Sequence, residues 1–284
     1  MSPRAASPSP HHHHPTSQAS AHGHGHAAML DLDARVVGHL EELTSWVGGH
    51  LRSEPSRVLD IGSGSGTGTL ALARRFPRST IIALDQSPEM ISHLTDAAAR
   101  AGVGDRVHPV QANADERWPD IGTFDLVWAS SSLHHVEHPD SVLRTAHSTL
   151  SSGGIMTVIE MDGLPRFLPE DIGFGRPGLE RRCHEAMRRA GWNAHPDWGP
   201  HLQHAGFELV AERTFTYQRD PAPADAALYA RQVFTNIRGR LTQLEPQDLD
   251  AIDRLLDDDA SGSLSARDDL VVRSERTVWV GRRE

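Results

Sequence analysis

Residues 58–68 read Val-Leu-Asp-Ile-Gly-Ser-Gly-Ser-Gly-Thr-Gly, and this stretch leaves the chain around it few ways to fold. Val58, Leu59 and Ile61 make a short apolar run suited to a buried parallel strand. Asp60 interrupts the run just before Gly62, Gly64, Gly66 and Gly68 alternate with Ser63, Ser65 and Thr67. Residues 69–75 are compatible with a helix. Strand, glycine loop and helix in that order form a nucleotide-binding turn. Glycine lets backbone amides approach a ligand closely and tolerates positive φ. The dinucleotide pattern G-x-G-x-x-G fails from Gly62, because Thr67 stands where the third glycine belongs.

The rest of the chain alternates in the same style. Strands are expected at about 57–61, 80–84 ending on Asp85, 107–111, 124–129 and 155–161. Helices are expected between them, one opening at Pro88 and stopped by Gly102, another at 139–150 followed by a turn at Gly153-Gly154. Such alternation predicts an α/β, doubly wound parallel sheet with its ligand at the edge where the strands end. After 161 the pattern changes. A Pro- and Gly-rich stretch leads to a helix at 179–190, a strand at 207–217, helices at 225–241 and 247–256, and a last strand at 270–281. Before the core, apolar residues from Met29 to Val47 recur at helical spacing, predicting one helix over about 29–48. Residues 1–28 are rich in His, Pro and Ser and are expected to be a disordered tail. His11–His14, His22, His24 and His26 read either as a metal-binding tail or as inert low complexity.

Composition narrows the partners. The formal net charge is −10 over 284 residues, and no basic groove is visible, so nucleic acid is not expected. No run of 18 apolar residues and no signal-peptide core are present, so a cytoplasmic protein without a membrane partner is expected. Every basic side chain is Arg, as a GC-rich genome would favour. Cys183 is the one cysteine, leaving no disulfide and no zinc cluster to build.

The pattern D-x-G-x-G-x-G over Asp60–Gly66 resembles the class I S-adenosylmethionine-dependent methyltransferases. It is most similar to the small-molecule group typified by ubiquinone and menaquinone biosynthesis enzymes. The resemblance is strong over about 55–162 and weaker over 197–217 and 270–281. It implies a Rossmann-like seven-stranded sheet of five parallel strands plus a terminal reversed hairpin, within one domain over 29–284. Residues 164–195 and 220–268 would be helical cap insertions. The implied cofactor is S-adenosyl-L-methionine, leaving as S-adenosyl-L-homocysteine, with no metal. Asp60, Gly62, Ser63, Gly64 and Gly66 would hold its methionine part. Asp85, with Gln86, would take the ribose hydroxyls, although Asp85 also reads as a helix cap. Met90 would pack near the adenine. Asn113 and Ala114 stand where relatives carry Asp-Ala for the adenine amino group, with Asp115 as the alternative. Trp128 and Ala129 would offer carbonyls to the methionine ammonium.

Methyl transfer from a sulfonium is an in-line displacement, so alignment is the main demand and a base is needed only for a protonated nucleophile. His134 and His135 lie on the loop after the fourth strand and are the candidate bases; capping the next helix is the other reading. Glu160 and Asp162 could bind an amine or a metal, or merely solvate a loop. Arg181, Arg182, Arg188 and Arg189 read as an anionic-substrate site or as a solvated helix face. Trp192, Trp198, Tyr217, Tyr229 and Phe234 read as an aromatic pocket or as core. The expected function is methyl transfer to a small molecule, with a peptide end as a further option and a homodimer compatible with the chain. A cofactor-binding regulator without catalysis and an NAD-type oxidoreductase are the alternatives.

Overall fold

The computed structural model describes residues 17–241 and 243–284, with side chains from Ala27 onward. Its centre is one seven-stranded sheet in the order β3-β2-β1-β4-β5-β7-β6. The strands are β1 (Arg57–Ile61), β2 (Thr80–Asp85), β3 (Val107–Gln111), β4 (Phe124–Ser130), β5 (Leu150–Met161), β6 (Glu208–Arg219) and β7 (Val272–Arg282). β1 to β5 pair in parallel, and β7 runs antiparallel to both neighbours. The order reverses between β1 and β4, where an α/β sheet opens a crevice at its strand ends.

Side-chain alternation along the strands makes two cores. Val58, Ile81, Leu126, Trp128, Ile155 and Ile159 join the larger one. It is covered by α1 (Ser17–Val37), α2 (Leu40–Gly48), α3 (Thr67–Arg75), α8 (Ala226–Arg240) and α9 (Pro246–Leu256). Leu59, Ile61, Val127, Ala129 and Val158 face the other core, with α5 (Pro139–Thr149) and α7 (Trp198–His204). Both faces of β1, β2, β4 and the second half of β5 are therefore dry, as their near-continuous apolar runs require, while β3 at the edge leaves His108 and Gln111 exposed.

Several expectations need correction. The single helix expected over 29–48 is two helices, broken at Gly38, whose φ is +70°. Apolar spacing continues across the break, so periodicity alone does not reveal it. α1 begins at Ser17, inside the stretch expected to be disordered. Residues 1–16, with His11–His14, lie outside the described residues. Gly153-Gly154 is not a turn before β5 but an irregularity within it, where the pairing with β4 shifts register. α7 has no counterpart in the sequence reading; its cap is Asp197, which accepts from the Gly199 amide at 2.9 Å. α4 (Pro88–Arg100) is as expected, with Ser87 accepting from the Met90 amide and Pro88 in the first turn. α6 (Leu179–Arg189) carries Cys183 facing inward, where burial pushes the thiol up to about 12.

Candidate active site

The strand ends open into a cleft of about 730 Å³. Its floor is the turn after β1. The Gly62 and Ser63 amides donate to the Leu84 carbonyl at 2.8 and 3.0 Å, tying the loop to β2. Gly62 has φ +68°, and a Cβ there would lie 2.5 Å from the Ser132 Cβ, so both conformation and space demand glycine. Ser132 donates to the Ile61 carbonyl at 2.7 Å and brings the loop after β4 alongside.

Two carboxylates frame this floor. Asp60 is buried beneath it and accepts from the Thr69 hydroxyl. Burial pushes the Asp60 carboxyl up to about 7; the Thr69 hydrogen bond opposes this and the Asp85 charge adds to it. Asp85 accepts from the Gly64 amide at 2.8 Å and from the Ser87 amide at 2.9 Å. It thus serves as the clip between the glycine loop and the α4 entry, and it also lines the cleft. Trp128 stands next to Asp60 with its indole N–H buried and unpartnered among the described residues.

Most of the expected positions meet in this cleft: Asp60, Gly62, Ser63, Gly64, Asp85, Gln86, Met90, Asn113, Ala114, Trp128, His134 and His135 all line it. Two do not. Gly66 is the left-handed cap of α3, packed so closely on Leu94 that a Cβ would lie 2.3 Å from its Cδ1. Ala129 is buried in the smaller core. Asn113 uses its side-chain oxygen to accept from the Asp115 amide and its amide nitrogen to donate to Glu116. Asp115 is engaged elsewhere, accepting from the Glu137 and His138 amides at 3.0 and 2.8 Å.

On the side facing β5, the Nδ1 of His134 lies 2.7 Å from the Glu160 Oε2. Glu160 is 1% exposed, and its other oxygen has no partner among the described residues. The His135 ring sits 3.9 Å from that of His134. With Nδ1–H donated to a carboxyl group, Nε2 is left as the acceptor, the arrangement a neutral imidazole needs to take a proton. Glu160 is therefore a partner of His134, not a loop-solvating residue.

The opposite wall joins elements far apart in sequence. Asp33 of α1 accepts from the Tyr229 hydroxyl at 2.9 Å and from the Arg276 guanidinium. His39 lies 3.9 Å from Asp33, and burial together with Arg276 pulls its pKa down to about 3 against the pull of Asp33. Asp33, His39, Tyr229 and Arg276 all border the cleft. The sequence reading missed Asp33, His39 and Arg276. Of the aromatic candidates only Tyr229 reaches this cleft; Trp198, Tyr217 and Phe234 are core, and Trp192 lines a neighbouring cavity. Among the described residues no group of three or more His, Cys, Asp or Glu side chains could hold a metal ion. Nor is any described helix long and apolar enough to cross a membrane.

This sheet order, with the glycine loop at its switch point, defines a Rossmann-like cofactor-binding domain. Residues 58–154 match the family described as Methyltransferase domain. The ubiquinone biosynthesis O-methyltransferase of Azotobacter vinelandii is 32% identical over 39% of this chain and 46% of its own length. The 27-O-demethylrifamycin SV methyltransferase of Amycolatopsis mediterranei is 28% identical over 69% of this chain and 66% of its own length. An O-methyltransferase family protein from Burkholderia thailandensis shares the fold at TM-score 0.54 and 18% identity, over 95% of this chain and 61% of that one. The chain spans less than half the length of the first curated relatives it matches, from 24% to 46%. Residues 58–154 thus form a methyltransferase domain similar to those of S-adenosylmethionine-dependent methyltransferases.

Proposed function

We propose that the protein transfers a methyl group from S-adenosylmethionine to a hydroxyl of a small-molecule acceptor, with His134 as the base and Glu160 as its positioning residue. The observation that carries this reading is the 2.7 Å contact between His134 and Glu160 inside the cleft that also holds the glycine loop. A base has a purpose only if the nucleophile arrives protonated, and a hydroxyl does.

The residues present suit the cofactor. Gly62 leaves bare backbone where a Cβ would clash, and the buried Ser63 and Ser65 hydroxyls and the Trp128 indole have no partners among the described residues. Asp60 would face the methionine ammonium, Asp85 and Gln86 the ribose, and Met90, Asn113 and Ala114 the adenine. When bound, the cofactor supplies an electrophilic methyl on a sulfonium. The protein's own part is to hold the acceptor in line, exclude water and accept the hydroxyl proton at His134 Nε2. Glu160 fixes the imidazole tautomer and stabilises the imidazolium that results.

The cap would consist of α1, which contributes Met29, Leu30 and Asp33, of α8 through Tyr229, and of the segment after α6 through Asn193. α9 contributes no lining residue to the cleft. The test is transfer of labelled methyl to small acceptors from a cell extract. Wild-type transfer that His134→Ala abolishes supports the reading. Cofactor binding without transfer to any acceptor would favour the regulator instead.

A further inference from the structure

Behind Leu164 and Asn193, which line the main cleft, lies a second cavity of about 430 Å³ that shares those two residues. Its walls come from the β5 exit, from α6 and from the turn after α6. Three arginines reach it: Arg166, Arg181 and Arg188. Arg181 is met by Glu170 and Glu185, and His195 by Asp162 at 3.3 Å. Arg166 and Arg188 meet no carboxylate within ion-pair distance among the described residues. Two guanidiniums without an ion-pair partner among the described residues therefore face one concavity, Arg166 also lying near enough to the buried Glu180 to influence its carboxyl. Two carboxylates also line the cavity, Glu185 paired with Arg181 and Asp162 paired with His195, and Leu164, Met187 and Trp192 supply its apolar surface.

His184 adds a second sign of an absent anion. Its ring donates to the Pro165 carbonyl, while Nε2 is buried with no partner among the described residues. Burial, with the Arg166 charge second, pulls its pKa down to about 4. An oxyanion beside Arg166 would offset that charge and give a protonated Nε2–H something to donate to. Asn193, at the junction of the two cavities, holds φ +50°, a conformation non-glycine residues adopt sparingly.

We propose that this second cavity is an acceptor subsite for an oxyanion group, carboxylate or phosphate, carried on an apolar body. Arg166 and Arg188 hold the oxyanion, while Leu164, Met187 and Trp192 cover the body. Guanidinium groups bind both oxyanions by paired N–H donation, and the volume is that of an organic fragment and not of a bare ion. The acceptor's hydroxyl would then reach His134 past Leu164. This subsite extends the methyl-transfer reading, yet its anion binding can be measured without turnover.

The experiment titrates the full chain, saturated with S-adenosylhomocysteine, with 4-phenylbutyrate, its neutral amide and inorganic pyrophosphate, by calorimetry and by the His184 imidazole NMR signal. At least one anion should bind ten times more tightly than the amide and shift the His184 signal. The tighter of the two anions identifies the oxyanion. Arg166→Gln/Arg188→Gln should weaken that binding at least tenfold and leave S-adenosylhomocysteine affinity within twofold. Arg188→Glu alone should also weaken it, and both arginines are exposed, so neither variant removes core packing. If neither anion binds, if the amide binds equally, or if the double variant binds as wild type, the subsite is overturned. Failure of S-adenosylhomocysteine to bind, with anion binding still dependent on the arginines, would overturn the cofactor reading and leave the subsite standing.

Discussion

His134 Nδ1 and Glu160 Oε2 lie 2.7 Å apart, joining the loop after β4 to the end of β5 within one cleft. The pair acts as a unit, so its two members should not be equal or additive on mutation. His134→Ala should lower kcat by about 10²–10⁴, the usual range for a general base. Glu160→Gln keeps an acceptor for Nδ1–H but loses charge, and should cost a smaller part of that factor. The double variant should be no slower than His134→Ala alone. Steady-state rates with labelled cofactor, together with unchanged S-adenosylhomocysteine affinity, test this.

Asp60 sets a pH dependence. Its carboxyl is raised to about 7 in the folded chain, so the folded state holds a proton that the unfolded chain releases near 3.8. Stability from this group is present at low pH and lost as pH rises towards and through 7. Asp60→Asn should therefore raise the melting midpoint of the ligand-free protein at pH 8, by about 2–4 °C for each kcal/mol gained, and by little at pH 4. Ligand binding should move the other way. The ionised carboxylate favours the methionine ammonium, so S-adenosylhomocysteine affinity should rise by up to about tenfold from pH 6 to pH 8, as the ionised fraction rises. The Asp60→Asn variant should bind weakly at both. Calorimetric titrations at the two pH values measure it.

The contact between Gly62 and Ser132 predicts a different kind of failure. Gly62→Ala places a Cβ against Ser132 at positive φ, where the conformation alone costs about 1–2 kcal/mol. The melting midpoint should fall and cofactor binding should be lost. Adding Ser132→Gly should recover the part due to the clash and not the part due to φ. Full recovery in the double variant would mean that backbone conformation is not limiting.

Arg276 and Asp33 form a buried ion pair that fastens α1 to the sheet across the cleft. Arg276→Leu leaves Asp33 charged and buried, and removing one partner of such a pair typically costs about 3–5 kcal/mol. Denaturant unfolding should show that loss. Asp33→Leu/Arg276→Leu should cost less than Arg276→Leu alone, because neither charge is then left unpaired.

The parts legible in the sequence are those that local backbone chemistry dictates. Asp60 to Gly68 announces a strand, a tight turn and a helix through glycine spacing alone, and Ser87-Pro88 announces the start of α4. Asp197 carries a helix-start signal too, but α7 is seven residues long and holds Pro200, so periodicity gives it no support. Glu160 is visible as a carboxylate at the end of a strand, whereas its partner lies 26 residues away on a loop and is fixed only by the pairing of β4 with β5. Asp33 and Arg276 are 243 residues apart and meet only once β7 inserts beside β5. Asn113 shows the converse: its place on the cleft wall can be read, but not that a local turn already occupies its oxygen.

Asp85 offers the most direct test, because it holds the Gly64 amide and faces the space assigned to the cofactor ribose. Calorimetric titration of the wild type with S-adenosylhomocysteine should give one site, with NAD giving no heat under the same conditions. Asp85→Ala should weaken that binding by about 10–100-fold, as expected when charge-assisted hydrogen bonds worth about 1.5–3 kcal/mol are removed. Unchanged affinity in Asp85→Ala, or binding of NAD in place of S-adenosylhomocysteine, would contradict the account.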